Sequence, residues 1–327
     1  MPFLLMLIIA IALVFDFLNG LHDSSNIVAT MISSRALSPQ KALGITAVAE
    51  FAGPFLFGVA VATTIGSEVV DPAAISSAVI IAALASAISW NLLTWYFGWP
   101  SSTSHALIGG LIGAVAMAAG LGTVEFAGLQ KVLIALFLSP VLGLVVGFLV
   151  LKLLYFLSRG ASPKVNTVFR RAQLATSLAL ALSASAIDAQ KTMGIIAMAM
   201  VSTGYATEFH VPWWVIAMSA SAIALGTATG GWRLIKTLGG KFYKIRPIHA
   251  FGSQLTSAGI ILGAALLGGP VSTTQVVSSA IMGAGSADRV SKVRWTVARD
   301  IAVAWILTIP IAALLAAVLY LIIGLFL

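Results

Sequence analysis

The sequence predicts an all-α polytopic membrane protein of two inverted repeats, each of about five hydrophobic segments with broken or re-entrant helices. Three observations predict it. Hydrophobic residues make up 60% of the 327-residue chain and charged residues 9%, with a mean hydropathy of +1.05, a composition unable to dress a soluble surface. The chain divides into ten apolar stretches, each a candidate to cross or enter about 30 Å of hydrocarbon. One piece occurs twice: Pro100-Ser101-Ser102-Thr103-Ser104-His105 returns 170 residues later as Pro270-Val271-Ser272-Thr273-Thr274-Gln275, and the match continues to Gly113-Ala114 and Gly283-Ala284. Upstream, Asp23 corresponds to Asp188 at a spacing of 165.

In order, the first five segments run from Phe3 to Ser34, Ala42 to Ile65, Ala73 to Gly98, Ser101 to Gly120 and Val132 to Leu157. The second five run from Ala172 to Thr203, Pro212 to Gly231, Ile248 to Gly269, Pro270 to Ser286 and Asp300 to Leu327. The first lacks the basic start of a cleavable signal peptide and continues through Asp16, Asp23 and Asn26. A proline opens the fourth and ninth, which fit either a crossing or a re-entrant hairpin. The organisation expected is a first membrane repeat over 1–157, a basic linker over 158–171 and a second, inverted repeat over 172–327.

Charge orients the layout. Arg35 and Lys41, then Arg159, Lys164, Arg170 and Arg171, then Arg233, Lys236, Lys241, Lys244 and Arg246, and finally Arg289, Lys292, Arg294 and Arg299 fill alternate gaps. The gaps between hold Glu68, Asp71, Glu125 and Glu208, with Lys131 at a helix edge. By the positive-inside rule the basic gaps are cytoplasmic, both termini lie outside, and the chain is multi-pass in the inner (plasma) membrane. Five crossings per half then invert the second half relative to the first. The net charge of +8 belongs to these gaps and not to a nucleic-acid surface. With no cysteine, thiol chemistry and disulfides are excluded.

Each proline-led turn exposes backbone N–H groups at the positive end of a helix, beside Ser102, Thr103 and Ser104 in one half and Ser272, Thr273 and Thr274 in the other. Two such turns meeting from opposite faces make a donor-rich cage for a tetrahedral oxyanion. A lone hydroxyl run more often caps a helix, and duplication at aligned positions argues for the cage. Carboxylates within the bilayer are costly, which marks Asp23 and Asp188 as functional. They suit a coupling cation, sodium at Asn26, Asp23 and Asp188 or a proton, with Asn19 adding a neutral oxygen. Lys191, three residues after Asp188, either pairs with that acid or joins Gln190 at the anion. Among weaker candidates, His22 and His105 are proton carriers or structural histidines, Asp16 supports a break at Asn19-Gly20, and Glu50 and Asp300 mark helix breaks and interfaces. Ala222 to Gly231 and Gly252 to Gly263 read as packing faces, and Trp90, Trp95, Trp99, Trp213 and Trp214 as an aromatic belt. No nucleotide-binding loop, metalloprotease pair or nucleophile elbow is present, so an enzyme is not expected.

Asp16-Phe17-Leu18-Asn19-Gly20-Leu21-His22-Asp23-Ser24-Ser25-Asn26 and Asp188-Ala189-Gln190-Lys191-Thr192-Met193-Gly194, with the two Pro-x-Ser-Thr turns, resemble the signatures of PiT-type inorganic phosphate transporters. Gly230-Gly231-Trp232-Arg233, Lys236-Thr237-Leu238-Gly239 and Phe251-Gly252-Ser253-Gln254 are similar too, so the resemblance spans nearly the whole chain. It implies cation-coupled phosphate import by alternating access in a homodimeric carrier, with the Asn-Asp motifs binding sodium and helping to bind phosphate, and the hydroxyl turns contacting phosphate. The chain departs from the family pattern at Ile187, where an asparagine is usual before the second aspartate, at His22 and at Gln275. The loss at Ile187 removes one amide ligand from the second half. The partners expected are phosphate, the lipid bilayer, a second copy of the chain and a cytosolic regulatory partner, with no cofactor beyond the coupling ion. The alternatives are a permease for sulfate or another oxyanion, or a degenerate, non-transporting scaffold.

The orientation has a direct test. Single cysteines replacing Glu68 and Glu125 in intact cells are expected to react with a membrane-impermeant thiol reagent, while one replacing Lys241 stays unlabelled. The reverse labelling pattern would overturn the inverted assignment.

Overall fold

The computed structural model describes residues 3–67, 75–123, 126–269 and 271–325; Ala73, Glu68, Asp71, Glu125 and Pro270 lie outside the described residues. Twelve α-helices and no strand are found among the described residues. They are α1 (Phe3–Ser33), α2 (Pro39–Ala52), α3 (Ala60–Ser67), α4 (Ser77–Phe97), α5 (Thr103–Ala119), α6 (Phe126–Leu157), α7 (Val165–Ser202), α8 (Trp213–Thr229), α9 (Trp232–Lys236), α10 (Pro247–Leu266), α11 (Thr273–Asp288) and α12 (Trp295–Ile323).

The apolar segments form helices of unequal length, some of them broken. Five helices, α1, α4, α6, α7 and α12, are long and apolar enough to cross a membrane, and α8 with the stretch Trp232–Lys241 makes a sixth span bent by 58°. The second expected segment is broken: α2 ends at Ala52, Gly53–Phe55 forms a 3-10 turn and α3 restarts at Ala60. Pro54 has no N–H to continue the helical ladder and Gly58 takes a positive φ of 69°, which together end the helix there. The seventh segment breaks at Gly230, φ 76°, which lies 170 residues after Ala60. The break expected at Asn19-Gly20 is absent, because α1 runs unbroken through it. Gly20 serves close packing instead, since a Cβ there would sit 2.0 Å from the Ile223 carbonyl oxygen. The last span begins at Trp295, so the exposed Asp300 lies inside α12 and pairs with Arg299 at 3.5 Å.

The two proline-led segments form short helices. At 17 and 16 residues, α5 and α11 rise only about 25 Å. Each packs on the helix before it, α5 on α4 and α11 on α10, as a helical hairpin. Ser101, Ser102 and Ser272 at the tips are buried in protein.

Packing is reciprocal between the halves. α5 lies along α12 and α11 along α6, while α1 lies along α8 and α7 along α2 and α3. The seams are made by glycines: a Cβ at Gly113 would meet the Ala313 carbonyl oxygen at 2.0 Å, and one at Gly283 the Leu144 oxygen at 2.2 Å. Gly226 likewise meets the Phe17 carbonyl, so the Ala222–Gly231 face packs as expected, whereas Gly259 and Gly263 face open space. That stretch of α10 lies at the periphery, where nothing demands close approach. Outward, α6 and α12 expose Phe137, Leu149, Leu153, Ile306 and Leu314, an apolar surface that fits lipid better than water. Trp90 is no belt residue, since it is buried against a hairpin tip, while Trp213 and Trp99 are exposed.

Because backbone oxygen fills the space at Gly113 and Gly283, Gly113→Leu and Gly283→Leu are expected to cost at least about 1–3 kcal/mol of stability. Gly259→Leu, with open space before it, should melt like the parent protein in detergent. Equal melting temperatures for all three would refute the seam.

Candidate functional site

Helix α1 brings Asn19, His22, Asp23 and Asn26 to successive turns of one buried face, and α7 brings Asp188, Lys191 and Thr192. The tips of the two hairpins meet them. At each tip the helix starts from a serine in an extended conformation whose side chain caps it: Ser102 Oγ accepts the His105 N–H at 3.1 Å and Ser272 Oγ the Gln275 N–H at 3.3 Å. Those two oxygens are therefore spent as N-caps, and only their protons stay free to donate.

The tips touch each other through the residues that correspond in the repeat. His105 Nδ1 lies 3.3 Å from Gln275 Nε2. On the α1 side, Asn26 Nδ2 donates to Asp23 Oδ1 at 2.9 Å and to Thr274 Oγ1 at 3.0 Å, and Thr273 Oγ1 donates to Asp23 Oδ1 at 3.2 Å. On the α7 side, Lys191 and Asp188 form an ion pair with neither side chain exposed. The charge of Lys191 also acts at longer range on Asp23, Asp16 and His105. Asp23, Asn26, Asp188, Lys191 and both hydroxyl tips thus belong to one cluster where α1, α5, α7 and α11 converge.

The unpartnered atoms say what the cluster can hold. Asp23 Oδ2, Asn26 Oδ1, Asp188 Oδ2 and Ser104 Oγ are buried without a hydrogen-bond partner. Buried polar atoms normally find one, so such a set marks a place for a ligand. Three of the four are amide or carboxylate oxygens, the donors a hard cation takes. No group of three or more His, Asp or Glu side chains that could hold a metal occurs among the described residues. A cation here would take amide and hydroxyl oxygens as well as carboxylates. The anion's donors would be the Lys191 ammonium and the hydroxyls of the tips.

The expected site residue Gln190 keeps its Nε2 buried and unpartnered while its oxygen holds the scaffold. Gln190 Oε1 accepts the Val61 N–H at 2.7 Å, holding the start of α3. Ser24 Oγ mirrors it by accepting the Gly231 N–H at 2.7 Å at the other break. Asn19 is buried with both amide atoms unpartnered, beside Asp16, which accepts from Thr192 Oγ1 at 2.5 Å. Ser101 is structural: Trp90 Nε1 donates to it at 2.8 Å, and it lies 3.2 Å from Thr308 Oγ1. Glu50 is buried and accepts from Thr227 across the α2–α8 contact. Sequence reading missed Asn91, buried on α4 with both side-chain atoms unpartnered and its carbonyl 3.0 Å from His22 Nε2. An asparagine amid the apolar third segment was the available signal.

With this geometry in hand, the model of the phosphate transporter family matches residues 19–316. The chain belongs to the phosphate transporter family. These are transporters and not enzymes. Among its relatives, a protein of Bacillus subtilis (strain 168) is 43% identical over 98% of this chain and 97% of its own length, and one of Rhizobium meliloti (strain 1021) is 45% identical over 97% and 96%. Both carry the name probable low-affinity inorganic phosphate transporter. A solved chain described as the sodium-dependent phosphate transporter superposes with a TM-score of 0.89 over 99% of this chain and all of its own, at 24% identity, and so shares the fold.

The buried ion pair sets a stability test. Lys191→Met leaves the Asp188 carboxylate without its cation and is expected to cost about 3–5 kcal/mol. Adding Asp188→Leu should restore most of the loss in a thermal melt, since an apolar pair needs no compensation. No rescue by the second substitution would show that the pair is not the source of the loss.

Proposed function

We propose that this chain imports inorganic phosphate through a membrane by alternating access, coupled to sodium or protons. One observation carries the reading: two capped hydroxyl tips, one from each half, meet at His105 and Gln275 beside the buried Lys191 and a set of unpartnered oxygens. In this reading Ser102, Thr103 and Ser104 with Ser272, Thr273 and Thr274 donate to one phosphate, Thr273 by turning its proton away from Asp23, and Lys191 supplies positive charge. Asp23, Asn26 and Asp188 hold the cation, with Asn19 one turn away on α1. A carboxylate beside the anion can accept the proton that phosphate carries and sulfate lacks, which supports phosphate as the substrate. The names of the relatives agree.

The reciprocal packing supports two inverted halves, each carrying one helix break and one hairpin, with the basic gaps inside and both termini outside. Movement of the hairpins relative to α1 and α7 would expose the cluster to each face in turn.

Purified protein in liposomes should take up labelled phosphate under an imposed sodium or proton gradient, and the gradient that drives it names the coupling ion. Excess sulfate should not compete. Asp23→Asn and Asp188→Asn should each lower uptake and its dependence on the cation. Alanine at Ser104 or Thr273 should weaken phosphate binding by about 1–3 kcal/mol, and the pair should be non-additive. Driven sulfate uptake in place of phosphate would make the chain a sulfate permease, and no driven uptake of either would leave the scaffold reading.

A further inference from the structure

A ladder of buried polar side chains leaves the cluster and runs toward one end of the protein only. It starts at Asn26 and continues on the same face of α1 through Thr30 to Ser34, just past the helix end. Gln254 of α10 donates from Nε2 to Thr30 Oγ1 at 2.8 Å and accepts from Thr176 Oγ1 of α7 at 2.7 Å. One step further, Ser34 Oγ donates to Gln173 Oε1 at 2.7 Å, and Gln173 Nε2 donates to the Pro247 carbonyl at 3.3 Å. All five side chains are buried. Ser257, on the same face of α10 as Gln254, is buried with an unpartnered hydroxyl.

The ladder ends at a cavity of about 240 Å³ lined by Arg170, Arg171, Gln173 and Leu37 among others, between the end of α1 and the start of α7. Both arginines are exposed there. In the other direction from the cluster, α1 buries Leu5, Ile8, Ile9, Ala12 and Phe15, an apolar run with Asp16 as its nearest polar neighbour.

Helices that only pack within hydrocarbon meet through small residues and single interhelical hydrogen bonds, as at the glycine seams and the Ser86–Ala312 contact of this protein. Three helices presenting amide and hydroxyl groups to one another along a single line suit a path that is wetted at some stage of the cycle. We propose that the α1–α7–α10 seam is the inward release route for the anion, closed here by two hydrogen-bonded rungs, Thr30–Gln254–Thr176 and Ser34–Gln173, and opening at the Arg170–Arg171 mouth. Parting the rungs frees amide N–H and hydroxyl donors that can pass an oxyanion along, and the arginines draw it out to the basic face. This inference rests on the transport reading above and on the orientation that places the basic gaps in the cytoplasm.

The test uses the full-length, cysteine-free chain in liposomes. Uptake by the unmodified protein is measured first, and its absence would defeat the transport reading whatever the route. With uptake present, cysteines replacing Thr30, Thr176 or Gln254 should react with a water-soluble thiol reagent from the basic face, severalfold faster during turnover than at rest, and the reaction should stop uptake. A cysteine replacing the equally buried Ser86, which bonds the Ala312 carbonyl on the α4–α12 contact, should stay unmodified. As a second arm, Gln254→Leu and Thr30→Val should slow uptake severalfold with phosphate binding and melting temperature unchanged. Labelling no faster than at Ser86, unchanged uptake in the apolar variants, or uptake lost only together with melting temperature would each overturn the route and leave the transport reading standing.

Discussion

The Lys191 ammonium has no exposed surface, and its need for compensation organises the middle of the protein. An isolated charge held away from water costs several kcal/mol, so the helices around it must bring acids to it. Asp188 comes from the same helix, and Asp16 and Asp23 from α1. Around this pair the cluster keeps buried oxygens without a hydrogen-bond partner. A core made for stability alone would not leave Asp23 Oδ2 and Asp188 Oδ2 unbonded. That remainder of unmet bonding is what a bound ligand can supply.

Around this centre, function and packing are divided between different residue types. Glycine seams at Gly20, Gly113, Gly226 and Gly283 let backbones touch where helices must be rigid. Where helices have to stop, they are caught by side chains from the opposite half: Gln190 of α7 holds α3, and Ser24 of α1 holds the turn into α9. The two hairpins are not equally anchored. The first tip is bound by Trp90, by Thr308, and by Trp305, whose Nε1 donates to the Pro100 carbonyl at 2.9 Å. The second tip is tied by Thr273 and Thr274 to the side chains of Asp23 and Asn26, the residues read here as cation ligands. Under the proposed function, a ligand at Asp23 and Asn26 would compete for the atoms that hold the second hairpin.

Parts of the fold were legible in the sequence because local chemistry decides them. The apolar lengths of α1, α4, α6, α7 and α12 required long helices, and the helix break marked by Glu50 falls at the turn Gly53–Phe55. Hydropathy left the two proline-led segments open between a crossing and a re-entrant hairpin, since it responds alike to a full span and to a short helix buried in protein, as with α5 and α11. The break assigned to Asn19-Gly20 failed for a related reason. A glycine needed for contact with Ile223 and a glycine needed for a turn look the same in a sequence.

By itself the sequence determined the membrane setting, the duplication, the hydroxyl turns and the acids, because each rests on residue type and spacing along the chain. Only the tertiary structure decided that His105 meets Gln275, that Gln190 holds the start of α3 through Oε1 while its Nε2 stays unpartnered, and that Lys191 pairs with Asp188 out of reach of solvent. It alone joined Thr30, Thr176 and Gln254 into one ladder. The two bonds of that ladder span 78 and 224 residues of chain, and a hydrogen bond of about 3 Å depends on how whole helices dock, which no local pattern records.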